Sequence, residues 1–257
     1  MKIARKLLRH FLKKTDYELI EKQQRLPPPT FDNIKLVLAL FSLTQPNPTF
    51  VQIGAYDGQT VDPVNEYALT GKMKCLLVEP IEASFQKLRS FYDGMPNVNL
   101  IQAAIGHSDG SAIMFKVKQA SQSFSIPRGA LSSFDKAHLL RHKIKEEDIE
   151  QVQVPCLTLK TLLAKFQLTK VNILQIDTEG FDAEIVKMAL AMEETPDCIN
   201  FENSNLSLES KTEIYALLTK SGYVHSSDTY NSLALHRRLT EGLLALCRGS
   251  KTLSVDS

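Results

Sequence analysis

Three apolar runs in this chain end in a carboxylate. Cys75–Val78 stops at Glu79, Val171–Ile176 at Asp177 and Cys198–Phe201 at Glu202. A fourth run, Phe50–Ile53, stops at a glycine and opens the loop Gly54-Ala55-Tyr56-Asp57-Gly58. Carboxylates in such places can do three kinds of work. One at the end of a second strand can accept both hydroxyls of a ribose. A close pair, such as Asp177 and Glu179, pushes one pKa toward the range of a general base. A cluster of Asp177, Glu179 and Glu202 could instead hold Mg²⁺ through oxygen ligands and acidify a bound hydroxyl. Acids also end strands as plain helix caps, and several at matching strand ends favour a shared site.

The glycine loop narrows the ligand. Glu79 lies 25 residues after Gly54, a spacing shared by several nucleotide-binding folds. A dinucleotide fold needs GxGxxG so that a pyrophosphate can approach a helix N-terminus. This loop is GxxxG with Asp57 inside it. A carboxylate there would repel pyrophosphate and suit a ligand with an amino group and a sulfonium charge. The competing reading of Asp57 is a cap for the next helix. His225 and His236, on two late apolar stretches, are further candidate bases or structural imidazoles. Asp182 reads as a first-turn acid favoured by the helix dipole.

Elements of alternating period must position these groups. From residue 50 the chain alternates strand-like and helix-like patterns, which argues for a parallel sheet. In such a sheet all the strand ends that carry acids lie on one edge, where ligands bind. Strands are expected at 50–53, 75–78, 98–105, 113–117, from 152, at 171–176 and at 198–201. Two short strands near 223–226 and 232–236 could form a closing hairpin. Helices are expected near 62–70, after Pro80, from Thr158, after Gly180 and from Ser207. Residues 119–150 predict an irregular insertion with one short helix, able to cover a substrate. Its basic residues Lys136, His138, Arg141, His142 and Lys143 could meet a phosphate or form a solvated face.

Composition sets the limits. The chain has 257 residues, 43% hydrophobic and 23% charged, with a net charge of +1. Such neutrality gives no argument for nucleic acid as a partner. The four cysteines show no CxxC spacing and read as reduced core residues of a cytoplasmic protein. Residues 2–14 are basic and place Ala4, Leu7, Leu8 and Phe11 on one helical face. That helix could lie on the inner face of a membrane or dock on its own domain. Leu26-Pro27-Pro28-Pro29-Thr30 reads as a linker. The expected division is a helical extension over 1–45, a main domain over 46–245 and a tail over 246–257.

Several stretches together resemble the FkbM family of class I methyltransferases. They are Phe50 to Gly58, Asp62-Pro63, Leu76 to Pro80, Ala103-Ala104-Ile105 and Ile173 to Asp182, followed by Phe201-Glu202 and Asp228 to Ala234. The likeness spans about 48–236. It implies an α/β fold, a Rossmann-like sheet of seven strands with the last antiparallel, here with the N-terminal helical extension. It also implies S-adenosylmethionine as cofactor. Gly54, Ala55 and Gly58 would hold the methionine part, with Gln52, Tyr56 and Asp57 beside them. Glu79 and Pro80 would meet the ribose, and Ala103 and Ala104 the adenine. Asp177 would sit beside the transferred methyl as both cofactor contact and first candidate base, with Glu179 and Glu202 as its catalytic partners. The acceptor would be a hydroxyl of a sugar, glycan or small metabolite. Gln175 stands where the family usually has Lys, and Tyr56 where Asn is frequent. Two other readings compete: a nicotinamide oxidoreductase, disfavoured by the missing GxGxxG, and a non-catalytic binding module of the same fold.

Overall fold

The structure, a computed structural model, describes residues 33–60, 62, 64–118, 131–239 and 241. The chain divides into two compact units, Met1–Asn33 and Ile34–Ser257, and the described residues lie in the second apart from Asn33. The basic segment 2–14, the proline linker, residues 119–130, Cys247 and the tail from 246 lie outside the described residues.

The unit opens with helix α1 (Asn33–Thr44), strand β1 (Thr49–Ile53), α2 (Asn65–Leu69), β2 (Lys74–Val78) and α3 (Glu82–Phe91). Then come β3 (Val98–Ile101), β4 (Ala104–Ile105), β5 (Gly110–Val117), β6 (Ser132–Ser133), α4 (Lys136–Arg141) and β7 (Ile149–Leu157). The chain continues through α5 (Leu159–Lys165), β8 (Ile173–Ile176), α6 (Asp182–Leu190), β9 (Cys198–Glu202), α7 (Leu208–Lys220), β10 (Tyr223–Ser227) and β11 (Asn231–His236). Thr158 and Ser207 cap their helices as expected, each accepting the N–H three residues on. No described helix is long and apolar enough to cross a membrane.

The main sheet has seven strands in the order β10-β11-β9-β8-β1-β2-β3. Six run in one direction, and β11 runs antiparallel to them between β9 and β10. Strand periodicity sends alternate residues to opposite faces. Val51, Leu76, Leu174 and Ile199 stand in register and face α5, α6 and α7. Phe50, Cys75, Ile173 and Cys198 form the adjoining row and face α1, α2 and α3. The result is helices on both faces of one sheet.

Two expectations change. The stripe Ile34, Val37, Leu38 and Phe41 of α1 is buried in one cluster with Phe50 and Leu77. The compact unit therefore begins at Ile34, not at 46. The expected strand 98–105 is also two strands. After Ile101 the chain leaves the main sheet, and Ala104–Ile105 pairs with β7 in a second sheet of four strands, β4-β7-β5-β6. Periodicity within one segment cannot report such a change of partner, because both halves are equally apolar.

Candidate active site

Register builds the site. Ile53 pairs with Val78 on one side and Ile176 on the other, and Ile176 pairs with Phe201. The next residue on each strand therefore falls on one line across the C-terminal edge: Glu202, Asp177, Gly54, Glu79. Gly54 lies between the two acids. Its φ is +86°, and a Cβ there would come within 1.7 Å of the Asp177 carbonyl oxygen. Only glycine lets β1 turn away beneath the end of β8.

Glu79 is buried, and both its oxygens are held. Oε2 accepts the Tyr56 N–H at 2.9 Å and Oε1 the Ile81 N–H at 2.8 Å. Burial pushes its pKa up to about 8, against the downward pull of those two N–H groups. Tyr56 takes a positive φ of 48°, which turns its N–H toward Glu79.

Asp177 follows the last residue of β8 and opens onto a cavity. Its carboxyl is raised well above the ordinary range, first by the protein packed around it and then by Asp182, Glu179, Glu202 and Glu79. The side chain is nonetheless exposed to the cavity, so water screens part of this effect. Gln175, two residues earlier, lies on the buried face and accepts the Asn200 Nδ2–H at 2.8 Å. Gln175 is buried, whereas Asp177, one residue past the end of β8, borders the cavity.

Asp182 is more than a first-turn acid. It is buried, its Oδ2 accepts the Thr178 hydroxyl at 2.9 Å and the N–H groups of Thr178 and Gly180, and its Oδ1 accepts the Glu202 N–H. It ties the loop after β8 to the end of β9. Burial raises its pKa to about 6.

The cavity measures about 580 Å³ including the part open to solvent. One wall is Gly54, Tyr56, Glu79 and Pro80, and the other is Asp177, Thr178 and Glu179. Ala103, Ala104 and Ile105 add an apolar surface, and Met114, Ser132 and Phe134 of the second sheet and its border close over it. Ser132 and Phe134 come from the described part of the insertion.

Other expected residues lie elsewhere. Asp57 does not line the cavity: Oδ1 accepts the N–H groups of Gln59 and Thr60, and Oδ2 the Thr60 hydroxyl. It caps its own turn, as Asp does where the N–H groups two and three residues on come within reach. Gly58 meets α3, where a Cβ would lie 2.7 Å from the Tyr92 ring and 2.8 Å from Leu88. Ala55 is buried in the cluster on the α3 face, and Gln52 lies on the buried face of β1 with its Oε1 unpartnered. Glu202 is occupied by the Ser204 hydroxyl and, at 2.6 Å, by Asn205 Nδ2. Asp177, Glu179 and Glu202 therefore do not converge as a ligand set for Mg²⁺. His225 stacks on Tyr215 with ring centres 4.6 Å apart, His236 packs edge-on against Tyr223, and neither borders the cavity.

One residue next to the site departs from the solvated face that its basic neighbours suggest. His138 is fully buried, not part of a solvated basic face, and its Nε2 lies 2.9 Å from Glu179 Oε2. Glu179 has a positive φ of 54°, and its carbonyl accepts the Ser133 hydroxyl at 2.7 Å. The signal available in the sequence was the spacing of His138 and His142, four residues apart on a short helix.

A family model described as the methyltransferase FkbM domain matches residues 52–224. This chain belongs to that family. The matched span of this FkbM-domain protein includes every cavity-lining residue named above. No curated protein matches the chain. Among solved structures, it is similar to a methyltransferase FkbM from Methylobacillus flagellatus KT, with 9% identity, a TM-score of 0.43, and coverage of 74% of this chain and 44% of that one. It is also similar to precorrin-6y C5,15-methyltransferase from Geobacter metallireducens, with 14% identity, a TM-score of 0.39 and coverage of 83% and 92%. A third likeness is to Aeropyrum pernix fibrillarin, solved with natively bound S-adenosyl-L-methionine, with 11% identity, a TM-score of 0.36 and coverage of 78% and 73%.

Proposed function

We propose that this methyltransferase uses S-adenosylmethionine and methylates a hydroxyl of a sugar, glycan or related small metabolite. The observation that supports this reading is that Glu79 and Asp177 border the same cavity on either side of Gly54. Two strand spacings separate them, about 10 Å, a distance suited to a ribose at one end and a reacting centre at the other.

The residues fit the cofactor. Glu79 has both oxygens fixed by backbone N–H groups and still opens onto the cavity, so it can accept ribose hydroxyls. Ala103, Ala104, Ile105 and Pro80 offer the apolar surface an adenine needs. Gly54 keeps the floor bare of side chain. Bound there, the cofactor would supply an electrophilic methyl on a sulfonium.

The chain's own work is alignment and proton removal. A hydroxyl is a poor nucleophile near neutral pH. Asp177 faces the cavity with a raised affinity for protons, which is what a base for such a group requires. Asp182 holds the loop of Thr178 and Gly180 in place beneath it. Phe134 and Met114 give the cavity an apolar border.

Calorimetric titration of S-adenosylhomocysteine tests the placement. The wild type should bind, and Glu79→Ala should weaken binding by about tenfold or more through loss of a charge-assisted contact. Equal affinity in the two proteins would remove Glu79 from the cofactor site.

A further inference from the structure

We propose that His138, His142 and Glu179 form a binding site for a divalent transition metal, with Zn²⁺ as the probe of choice. One ring nitrogen of each histidine and one Glu179 carboxylate oxygen all lie within 4.8 Å of one another. Among the described residues this is the one group of side chains with metal-ligand chemistry gathered so closely.

The helix supplies the pair. His142 directly follows α4, and its N–H donates to the His138 carbonyl at 3.2 Å, so the turn continues through it. Residues four apart on a helix share a face. The two rings are 4.6 Å apart, centre to centre, with their planes 41° from parallel. A zinc ion with bonds of about 2.0–2.1 Å spaces tetrahedral ligands about 3.3 Å apart. His138 and Glu179 are already closer than that, at 2.9 Å. His142 is exposed, so its ring is free to swing the remaining distance.

The burial of His138 is the independent observation. Its side chain is fully buried, yet Nδ1 has no partner and Glu179 is the hydrogen-bonding partner at Nε2. An imidazole is an expensive choice for packing alone, because an unpaired buried nitrogen costs free energy that leucine would not. Glu179 adds a second cost. It sits in the left-handed region, where a non-glycine residue is strained, and the Ser133 hydroxyl fastens its carbonyl there. The nitrogen that meets the Glu179 carboxylate is Nε2, and the unpartnered Nδ1 leaves the ring held by nothing else but packing.

Two nitrogens and one oxygen select the metal. Such a set suits Zn²⁺ and its neighbours and not Mg²⁺, which prefers oxygen alone. Three protein ligands leave a coordination position open. Glu179 also lines the cavity beside Asp177. The open position is therefore available to an oxygen of the methyl acceptor, a role that rests on the function proposed above; the metal binding itself does not.

The test uses the full chain, stripped with a chelator and then titrated with Zn²⁺ by calorimetry and with Co²⁺ by visible absorption. The wild type should bind one equivalent of Zn²⁺, and excess Mg²⁺ should not compete. His142→Ala, at an exposed side chain, and Glu179→Gln should each weaken Zn²⁺ by at least about tenfold, with circular dichroism and melting confirming the fold. The absence of stoichiometric binding, or unchanged affinity in both variants, would overturn the site and leave His138–Glu179 a plain hydrogen bond. S-adenosylhomocysteine is titrated into the same samples. Zinc binding without nucleoside binding would remove the function proposed above and keep the metal site; the reverse would keep that function and remove the site.

Discussion

Raising the pH should tighten binding of the nucleoside half of the cofactor, and Glu79 sets the size of the effect. Its folded, ligand-free pKa is about 8 because it is buried. Ribose hydroxyls donate hydrogen bonds, so they favour the ionised carboxylate. Below the free pKa the ligand must bind the minor, ionised form. At about pH 6 roughly one molecule in a hundred carries that charge, whereas at about pH 9 nearly all do. Affinity should therefore rise by up to about two powers of ten between those values, ~2.7 kcal/mol, provided that the bound pKa falls below the range. 5′-Methylthioadenosine is the suitable ligand, since it has the ribose but no amino acid group to titrate. Calorimetry at intervals of pH measures the slope, and Glu79→Ala should flatten it. A wild-type change of less than about threefold across the range, far short of the value the linkage requires, would refute the assignment of Glu79 to the ribose.

Asp177→Asn should bind S-adenosylhomocysteine as the wild type does and lose about 10²–10⁴-fold in turnover, measured by methyl transfer to an accepted hydroxyl substrate; full turnover would exclude Asp177 as the base. Gly54→Ala should destabilise the protein by about 2–5 kcal/mol in urea unfolding, from left-handed strain and the clash with the Asp177 carbonyl. A loss under about 1 kcal/mol would mean that β1 and β8 part easily. Asp182→Ala leaves donors from Thr178, Gly180 and Glu202 unpaired and should lower stability by several kcal/mol, about 1–3 for each unsatisfied group. The ligand-free protein should also lose stability as pH rises. Glu79, Asp62 and Asp182 are raised in the folded chain to about 8, 6 and 6, so between their unfolded values near 4 and those values the folded state binds more protons. Urea midpoints that increase from about pH 5 to about pH 8 would contradict that sign.

The sequence by itself determined the class of fold and the edge on which the site lies. Val51 and Ile53, Leu76 and Val78, Leu174 and Ile176 show their strand period locally, and a glycine or an acid marks where each strand stops. Those signals need no knowledge of neighbours, because side-chain alternation follows from the backbone of a single strand. The family resemblance rested on the same short segments and agreed with the domain match. Tertiary structure decided which of the acids meet. Asp57 and Glu202 looked equal to Glu79 and Asp177 in the sequence, yet nearby N–H, hydroxyl and amide donors took up both. The line Glu202, Asp177, Gly54, Glu79 depends on strand order and register, which join residues more than a hundred positions apart. The departure of Ala104–Ile105 to a second sheet, and the delivery of His138 to Glu179, depend on the same long-range pairing. Local pattern fixes the face a side chain takes within an element. Where the element stops, and which distant donor reaches its last carboxylate first, is settled only when the whole chain competes for its hydrogen bonds.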